Sequence, residues 1–462
     1  MKHSVNRRTW LRTVGAAGAG AVLGNKALAE VLSRPASFPQ QTHIGPPDKP
    51  ITAIVAGAGN RGNVYGNYAL KFPQELKIVG FAEPVPFRSE RYAKKHDIDP
   101  KNQFITWEHI FDVPKFADAV IITTPDALHY GPAMAALEMG YDLLLEKPIA
   151  QTWPECRDIM KLTQNRGRIV AVCHVLRYAP LFKKVKEVID SGALGRMVSI
   201  DLIEPVEHLH MSHSFVRGNW RNSKESNPML LAKSCHDLDL LRWYTGTHCK
   251  RISSFGHLTW LKKENAPPGS TLRCTDGCAV ESECPYSALE IYYRNHSRLH
   301  VMDIPEEGDK GPVIMDRLKY GPYGRCVYHC DNDVVDHQVV AMEFDKEITA
   351  SFSMEAFTSY WGRRIKVMGS MGDIVGELED LVISDFTNGK SLKWNVLEHA
   401  DVSSGHGGGD YGLVRDWIQA VSQQNPEFLS TDIASAMESH LMAFRAEESR
   451  LTGTVREVGG PD

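Results

Sequence analysis

The chain has 462 residues, 42% hydrophobic and 24% charged, with a formal net charge of -5. It is long enough for two domains, each with its own core. No basic stripe points to nucleic acid, and no apolar run approaches the ~18 residues of a membrane span.

The first 29 residues read as an export signal rather than as part of the fold. Asn6-Arg7-Arg8-Thr9-Trp10-Leu11-Arg12 resembles the twin-arginine signal, a mildly apolar Gly/Ala-rich stretch follows from Val14 to Leu23, and Ala27-Leu28-Ala29 fits an A-x-A cleavage site. The expected location is therefore the periplasm, or another compartment reached by that route. The segment 30–49 is rich in Pro, Gln and Gly and reads as a linker. The twin-arginine route carries folded proteins, so a cofactor can be loaded before export.

The next element is the most informative. The β-rich run Ile51 to Ala56 enters G-x-G-x-x-G at Gly57, Gly59 and Gly62, and a helix is expected from Asn63. Glu83 lies 21 residues past Gly62, at the end of a second apolar run from Lys77 to Ala82. This is the dinucleotide-binding arrangement. The first glycine makes the tight turn, the second admits a pyrophosphate, and the third lets helix pack on strand. Gly57, Gly59, Asn60, Arg61 and Gly62 are the expected phosphate-side residues. Glu83 favours NAD, since a carboxylate repels the 2′-phosphate of NADP, while Arg88 nearby softens that preference.

Alternation continues with a helix over Pro86 to Lys95, a buried strand at Ala119 to Thr124, and a helix over Pro132 to Met139. Tyr141 to Leu145 is a second buried strand; a helix (Trp153 to Gln164) and a strand (Arg168 to Cys173) complete the series. The pattern implies an α/β doubly wound parallel sheet over 50–173. Thr124-Pro125, Glu146-Lys147-Pro148 and His174 fall at the carboxyl ends of its strands, where such sheets bind ligands. A lysine there, partly desolvated beside a positive nicotinamide ring, can exchange a proton with a hydroxyl near neutral pH.

The G-x-G-x-x-G strand, Thr124-Pro125 with His129, Glu146-Lys147-Pro148, and His174-Val175-Leu176-Arg177-Tyr178-Ala179-Pro180 together resemble the glucose–fructose oxidoreductase/inositol dehydrogenase (Gfo/Idh/MocA) family. Asp190 to Gly195 and Ser234 to Trp243 extend the resemblance, which runs from residue 50 to about 450. It implies an NAD(P)-binding Rossmann domain followed by a C-terminal α/β domain (174–452). The latter has a large, open, mostly antiparallel sheet that carries substrate and often makes the contact of a homo-oligomer. It further implies that Thr124, Pro125, His129, Glu146, Lys147, His174 and Arg177 line the cofactor, and that Lys147, before a cis Pro148, is the catalytic acid/base. The second motif, D-x-G-x-H-x-x-D, places its histidine on His236 and its last carboxylate on Asp239. Its first Asp falls on Ala232 and its glycine on Ser234, leaving Lys233 as an alternative charge.

From Met197 onward the pattern is β-rich, with strands expected at Val334–Phe344, Glu347–Phe357 and Arg363–Met368, and a closing helix at Thr431–Leu451. Residues 260–330 read as an insertion with Cys274, Cys278 and Cys284, then Cys326 and Cys330. Zinc held by Cys274, Cys278, Cys284 and Cys326 is one reading; disulfides or buried thiols are the others. His208, His210 and His213 lack a supporting carboxylate pattern for a metal. Gly405-His406-Gly407-Gly408-Gly409-Asp410 reads either as a solvent loop or as a ligand loop, with His406 and Asp410 on sugar hydroxyls. The leading functional expectation is an exported NAD(P)-dependent oxidoreductase of a sugar or polyol, holding its cofactor tightly. The alternatives are a redox-neutral glycosidase or lyase using transient sugar oxidation, and a non-catalytic binding protein.

Overall fold

The computed structural model describes residues 45–460. The expected export signal (1–29) and residues 30–44 of the expected linker lie outside the described residues. Six strands form a wholly parallel sheet in the order β3-β2-β1-β4-β5-β6. They are β1 (Ile51–Ala56), β2 (Leu76–Ala82), β3 (Gln103–Phe104), β4 (Ala119–Ile122), β5 (Asp142–Leu145) and β6 (Val170–Val172). Helix Asn60–Lys71 begins earlier than the expected Asn63, because Gly59 is already its N-cap and its carbonyl accepts the Asn63 N–H. The phosphate turn therefore runs straight into the first helical turn.

The two faces of this sheet are covered differently. Ile51, Ala53 and Val55 point to one side and pack with Tyr65, Tyr68 and Tyr92. That side is closed by helix Gly409–Gln423, through Leu413, Val414, Trp417 and Ile418, although more than 200 residues separate it from β6. Ile54 and Ala56 point to the other side, with Val120, Ile122, Leu143 and Leu145, against helices Tyr130–Glu138 and Trp153–Arg166. Ile433, Ala436 and Met437 from the last helix, Ile433–Thr452, join that layer.

The second sheet has nine strands in the order β14-β13-β12-β11-β7-β10-β9-β8-β15. These are β7 (Met197–Pro205), β8 (Cys249–His257), β9 (His337–Phe344), β10 (Thr349–Glu355), β11 (Arg364–Gly369), β12 (Gly372–Glu377), β13 (Asp380–Asp385), β14 (Lys390–Asn395) and β15 (Arg456–Glu457). Only the β7–β10 pair is parallel. Alternation is clean: Val340, Met342 and Phe344 of β9, with Ala350, Phe352 and Met354 of β10, enter the core under helix Cys235–Thr245. Val339, Val375, Val198 and Phe255 lie exposed on the opposite face. The expected β-rich run from Met197 is interrupted: residues 208–245 are largely helical. The region 260–330 forms no named strand, and its longest element is helix Lys310–Tyr320.

Candidate active site

The nucleotide turn has the shape a dinucleotide needs. A Cβ on Gly57 (φ 96°) would stand 2.7 Å from the Thr123 carbonyl oxygen, and one on Gly62 would stand 2.2 Å from the Gly57 oxygen, so neither position admits a side chain. At Gly59 the space is open, its nearest neighbour being the Arg88 guanidinium at 3.9 Å. An open glycine at a helix N-terminus is where a pyrophosphate fits. Glu83 is buried at the end of β2, and its two oxygens accept from Ala58 N (2.9 Å) and Val85 N (2.9 Å). It thus holds the turn, and a carboxylate's remaining lone pairs suit a ribose hydroxyl. The Arg88 charge is engaged by Asp303 (2.7 Å), from the 260–330 region.

Glu146-Lys147-Pro148 leaves β5 in a rigid setting, with the Lys147–Pro148 bond cis. Glu146 Oε1 accepts from Arg61 Nε (2.5 Å) and from the Tyr65 hydroxyl (2.6 Å), and Oε2 accepts from Lys147 N (3.1 Å). Burial alone would raise the Glu146 carboxyl, but the Arg61 and Lys147 charges outweigh it and hold it below the usual range. His129 is buried, with its ring nitrogens on the carbonyl oxygens of Pro148 (2.6 Å) and Thr124 (3.0 Å). On the other side, Ile149 N donates to His440 Nε2 (3.0 Å). Every residue from 146 to 149 is therefore anchored, which confines the lysine side chain to one direction.

That direction is toward the second half of the chain. Lys147 Nζ donates to the Ala232 carbonyl oxygen at 2.6 Å and lies 6.0 Å from the Trp220 ring centre. His236, two residues into helix Cys235–Thr245, is buried; desolvation, then the Lys147 charge, keep its pKa well below 6.5, so it is neutral. Its ring is 6.0 Å from His406 and 5.7 Å from His174. Lys233 pairs with Glu204 of β7 (3.1 Å), and Arg363 clasps Asp237 through Nε (2.6 Å) and Nη2 (3.1 Å). Ala232, where the motif usually has an Asp, contributes its backbone carbonyl to Lys147, and Glu204 of β7 supplies a carboxylate to the adjacent Lys233.

Several residues expected at the cofactor are also tied to other parts of the protein. Arg61 donates to Glu146, to the Tyr65 hydroxyl (2.6 Å) and to both oxygens of Asp410 (2.9 and 3.2 Å), so its guanidinium is spent on protein groups. Arg177 is buried and forms a bidentate pair with Asp239 (2.7 and 2.6 Å), which also removes Asp239 from any proton relay. His174 is fully buried with neither ring nitrogen hydrogen-bonded among the described residues, and both ring nitrogens of His129 lie on backbone carbonyls. Thr124 donates its hydroxyl to Leu128 O (2.8 Å) and shapes the loop that begins at Pro125. Gly57, Gly59, Asn60 and Gly62 form the phosphate-side turn together with the backbone of Arg61.

The cysteine expectation is corrected. Cys274, Cys278, Cys284 and Cys326 do line one small cavity of about 10 Å³. Yet among the described residues no group of three or more His, Cys, Asp or Glu is placed to hold a metal ion. The thiols are engaged singly: Cys274 Sγ accepts from Ala288 N (3.4 Å), and burial pushes the Cys326 thiol up to about 11, so it stays protonated. All nine cysteines are free, and no zinc enters the chemistry below.

Similarity to known proteins completes the picture. A family model described as an oxidoreductase family with an NAD-binding Rossmann fold matches residues 51–174, and the GFO/IDH/MocA C-terminal domain matches residues 182–301. The chain belongs to the Gfo/Idh/MocA family. It is thereby an oxidoreductase with an NAD-binding domain. A Bacillus subtilis (strain 168) protein named as an oxidoreductase, YteT, is 26% identical over 367 residues, covering 75% of this chain and 83% of its own. A 2,7-anhydro-N-acetylneuraminate hydratase of Mediterraneibacter gnavus is 24% identical over 45% of this chain and 53% of its own. Among solved structures, levoglucosan dehydrogenase with NADH and L-sorbose superposes with a TM-score of 0.65 at 18% identity, over 89% of this chain and all of that one. An inositol dehydrogenase homolog from Azotobacter vinelandii, with NADH and myo-inositol, gives 0.62 at 15% identity, over 89% and 98%. At such identities these two share the fold.

Within this Gfo/Idh/MocA chain, sequence reasoning singled out Lys147, His236 and Lys233, which the fold brings into one region, and missed much of what positions them. Asp126 accepts from Trp220 Nε1 (3.1 Å) and Asn227 Nδ2 (3.0 Å), tying the βα loop after β4 to the second half of the chain. Asp126, Glu204, Asp237, Arg363 and His440 carry no local signal, because each meets its partner only through the tertiary fold. Asp410 was visible in its glycine-rich loop, but it faces Arg61 rather than a ligand.

Proposed function

We propose that this protein is an exported oxidoreductase that moves a hydride between NAD and a hydroxyl-bearing carbon of a sugar or polyol, with Lys147 as the proton-transfer group. The observation that carries this reading is the Lys147 ammonium, held at 2.6 Å from the Ala232 carbonyl beside neutral His236, at a strand end next to a glycine turn fit for a dinucleotide. Names of relatives support the substrate class: a scyllo-inositol 2-dehydrogenase of Bacillus subtilis (strain 168) is 23% identical over 45% of this chain and 58% of its own.

When bound, NAD supplies the hydride acceptor. Gly57, Gly59 and the N-terminus of helix Asn60–Lys71 would hold its phosphates, and Glu83 would take a ribose hydroxyl, which favours NAD over NADP. In the oxidation direction the Lys147 amine, its proton first released to solvent, takes the proton from the substrate hydroxyl and becomes the ammonium; in the reverse direction the ammonium gives it back. The Ala232 carbonyl orients the ammonium for that exchange. His236, neutral, offers a hydrogen bond to the same or the neighbouring hydroxyl, and its burial keeps bulk water from competing.

The export signal adds a condition. Outside the cytoplasm a dissociated cofactor is lost, so the nucleotide is retained between turnovers, and a paired substrate or a redox-neutral cycle regenerates it. The hydratase among the relatives favours the redox-neutral variant as the second reading. Exposed Val198, Phe255, Val339 and Val375 on the outer face of the nine-stranded sheet suit contact between copies of the chain. The test is mass spectrometry of the undialysed protein for bound nucleotide, followed by a polyol and glycoside screen without added cofactor. Bound NAD and turnover support the proposal. An empty protein that needs NAD added at the millimolar end of ordinary KM values sinks the retained-cofactor reading.

A further inference from the structure

The loop 405–410 is built around a histidine in an unfavourable conformation. His406 has φ 54°, in the left-handed region, although it is flanked by glycines at 405 and 407 that take that region at no steric cost. A side chain kept there works against the backbone and needs compensation. The compensation is on the page: His406 Nδ1 donates to Asp410 Oδ1 at 3.0 Å. Asp410 is fully buried and is held in turn by Arg61, so it cannot follow the ring outward. The imidazole is 39% exposed, and its ring centre lies 6.0 Å from that of His236, on the Lys147 side of the molecule.

We infer that His406 is a substrate-binding residue: with Nδ1–H committed to Asp410, its Nε2 is the ring atom left to hydrogen-bond a hydroxyl of the bound polyol or sugar. A carboxylate on one imidazole nitrogen fixes the tautomer at the other. The site then has two imidazoles with ring centres 6.0 Å apart, His236 beside the lysine and His406 farther out. A substrate with hydroxyls on adjacent or nearby carbons spans them, and a mono-alcohol does not. Asp410 also ties this contact to the nucleotide turn, since Arg61 joins it to Glu146. The inference rests on the hydroxylated-substrate reading above.

The decisive variant is His406→Gly. Glycine relieves the left-handed strain as it gives up the Asp410 hydrogen bond, and Arg61 still holds Asp410, so the two effects offset and the variant should fold close to the wild type. With a substrate found in the polyol screen, KM should rise at least tenfold while bound nucleotide and melting temperature stay close to wild type. Added imidazole should restore part of the lost affinity, which a purely structural histidine would not allow. Asp410→Asn should raise KM and also loosen the nucleotide, because it breaks the Arg61 contact as well. An unchanged KM in His406→Gly overturns the inference, and so does a loss of nucleotide without a change in KM. A wild type inactive on every polyol and glycoside overturns the functional reading itself, a result distinct from an active wild type with an indifferent variant.

Discussion

Lys147 shows how a reactive side chain is aimed. Its backbone is fixed on both sides, by Glu146 with Arg61 and Tyr65, and by His129 and His440. Its ammonium then has one near partner, the Ala232 carbonyl. Truncation to alanine removes the proposed proton carrier and leaves these braces intact. Lys147→Ala should therefore lower kcat by about 10² or more, the range for a positioned acid/base, while bound NAD and the melting temperature stay close to wild type. Near-normal turnover would move the proton transfer to His236 or Lys233. The braces themselves illustrate why residue roles are hard to read locally. Arg61 and Arg177 are of the type and at the place to bind phosphate, yet each is consumed by a buried carboxylate, Asp410 and Asp239.

At the scale of elements, the deciding feature is helix Gly409–Gln423. By position it belongs with the C-terminal half, yet its apolar face completes the core against β1. Trp417 is completely buried there. Removing a buried tryptophan side chain costs about 3–5 kcal/mol through lost transfer energy and the cavity left behind. Trp417→Ala should lower stability by that order in urea unfolding, and it should also weaken NAD retention, because Asp410 at the start of the same helix holds Arg61 in the nucleotide turn. A separate test is a fragment ending at residue 176. With the β1 face uncovered, it should fail to unfold cooperatively; a sharp two-state transition would show that the helix is dispensable.

For the whole molecule, pH is the informative variable. Burial lowers His96 to about 4, His213 and His440 to about 3 and His210 to about 2, and it holds His174 and His236 well below 6.5. The unfolded chain takes up these six protons near pH 6.5 and the folded chain does not, so stability falls as pH drops from about 6.5 toward 4. Asp237 and Asp416 act in the opposite sense: burial raises both to about 6, so their contribution is present at low pH and lost as pH rises to 6. Six against two decides the direction, and each net proton is worth up to about 1.4 kcal/mol per pH unit. The urea midpoint should be clearly lower at pH 5 than at pH 7.5; an equal or higher midpoint at pH 5 would contradict the neutral-histidine core.

Periodicity and glycine spacing along the chain determined the parallel sheet, five of its six strands, the nucleotide turn and the lysine at a strand end; the two-residue β3 (Gln103–Phe104) is too short to leave a periodic signal. Those features depend on neighbours within a few residues, or on burial of a strand on both faces, and both leave a local imprint. The nine-stranded sheet was only partly legible, because β7 pairs with β10 and β11, about 150 residues away, and the intervening helices do not announce that pairing. The tertiary structure alone decided which charges were free. It set Glu204 beside Lys233, Asp410 beside Arg61 and the Ala232 carbonyl beside Lys147, and it kept the four expected zinc thiols from closing on an ion. The physical reason is common to all of these. A buried charge or thiol takes its character from whatever surrounds it in three dimensions, and that surrounding comes from strands and helices far apart in the sequence.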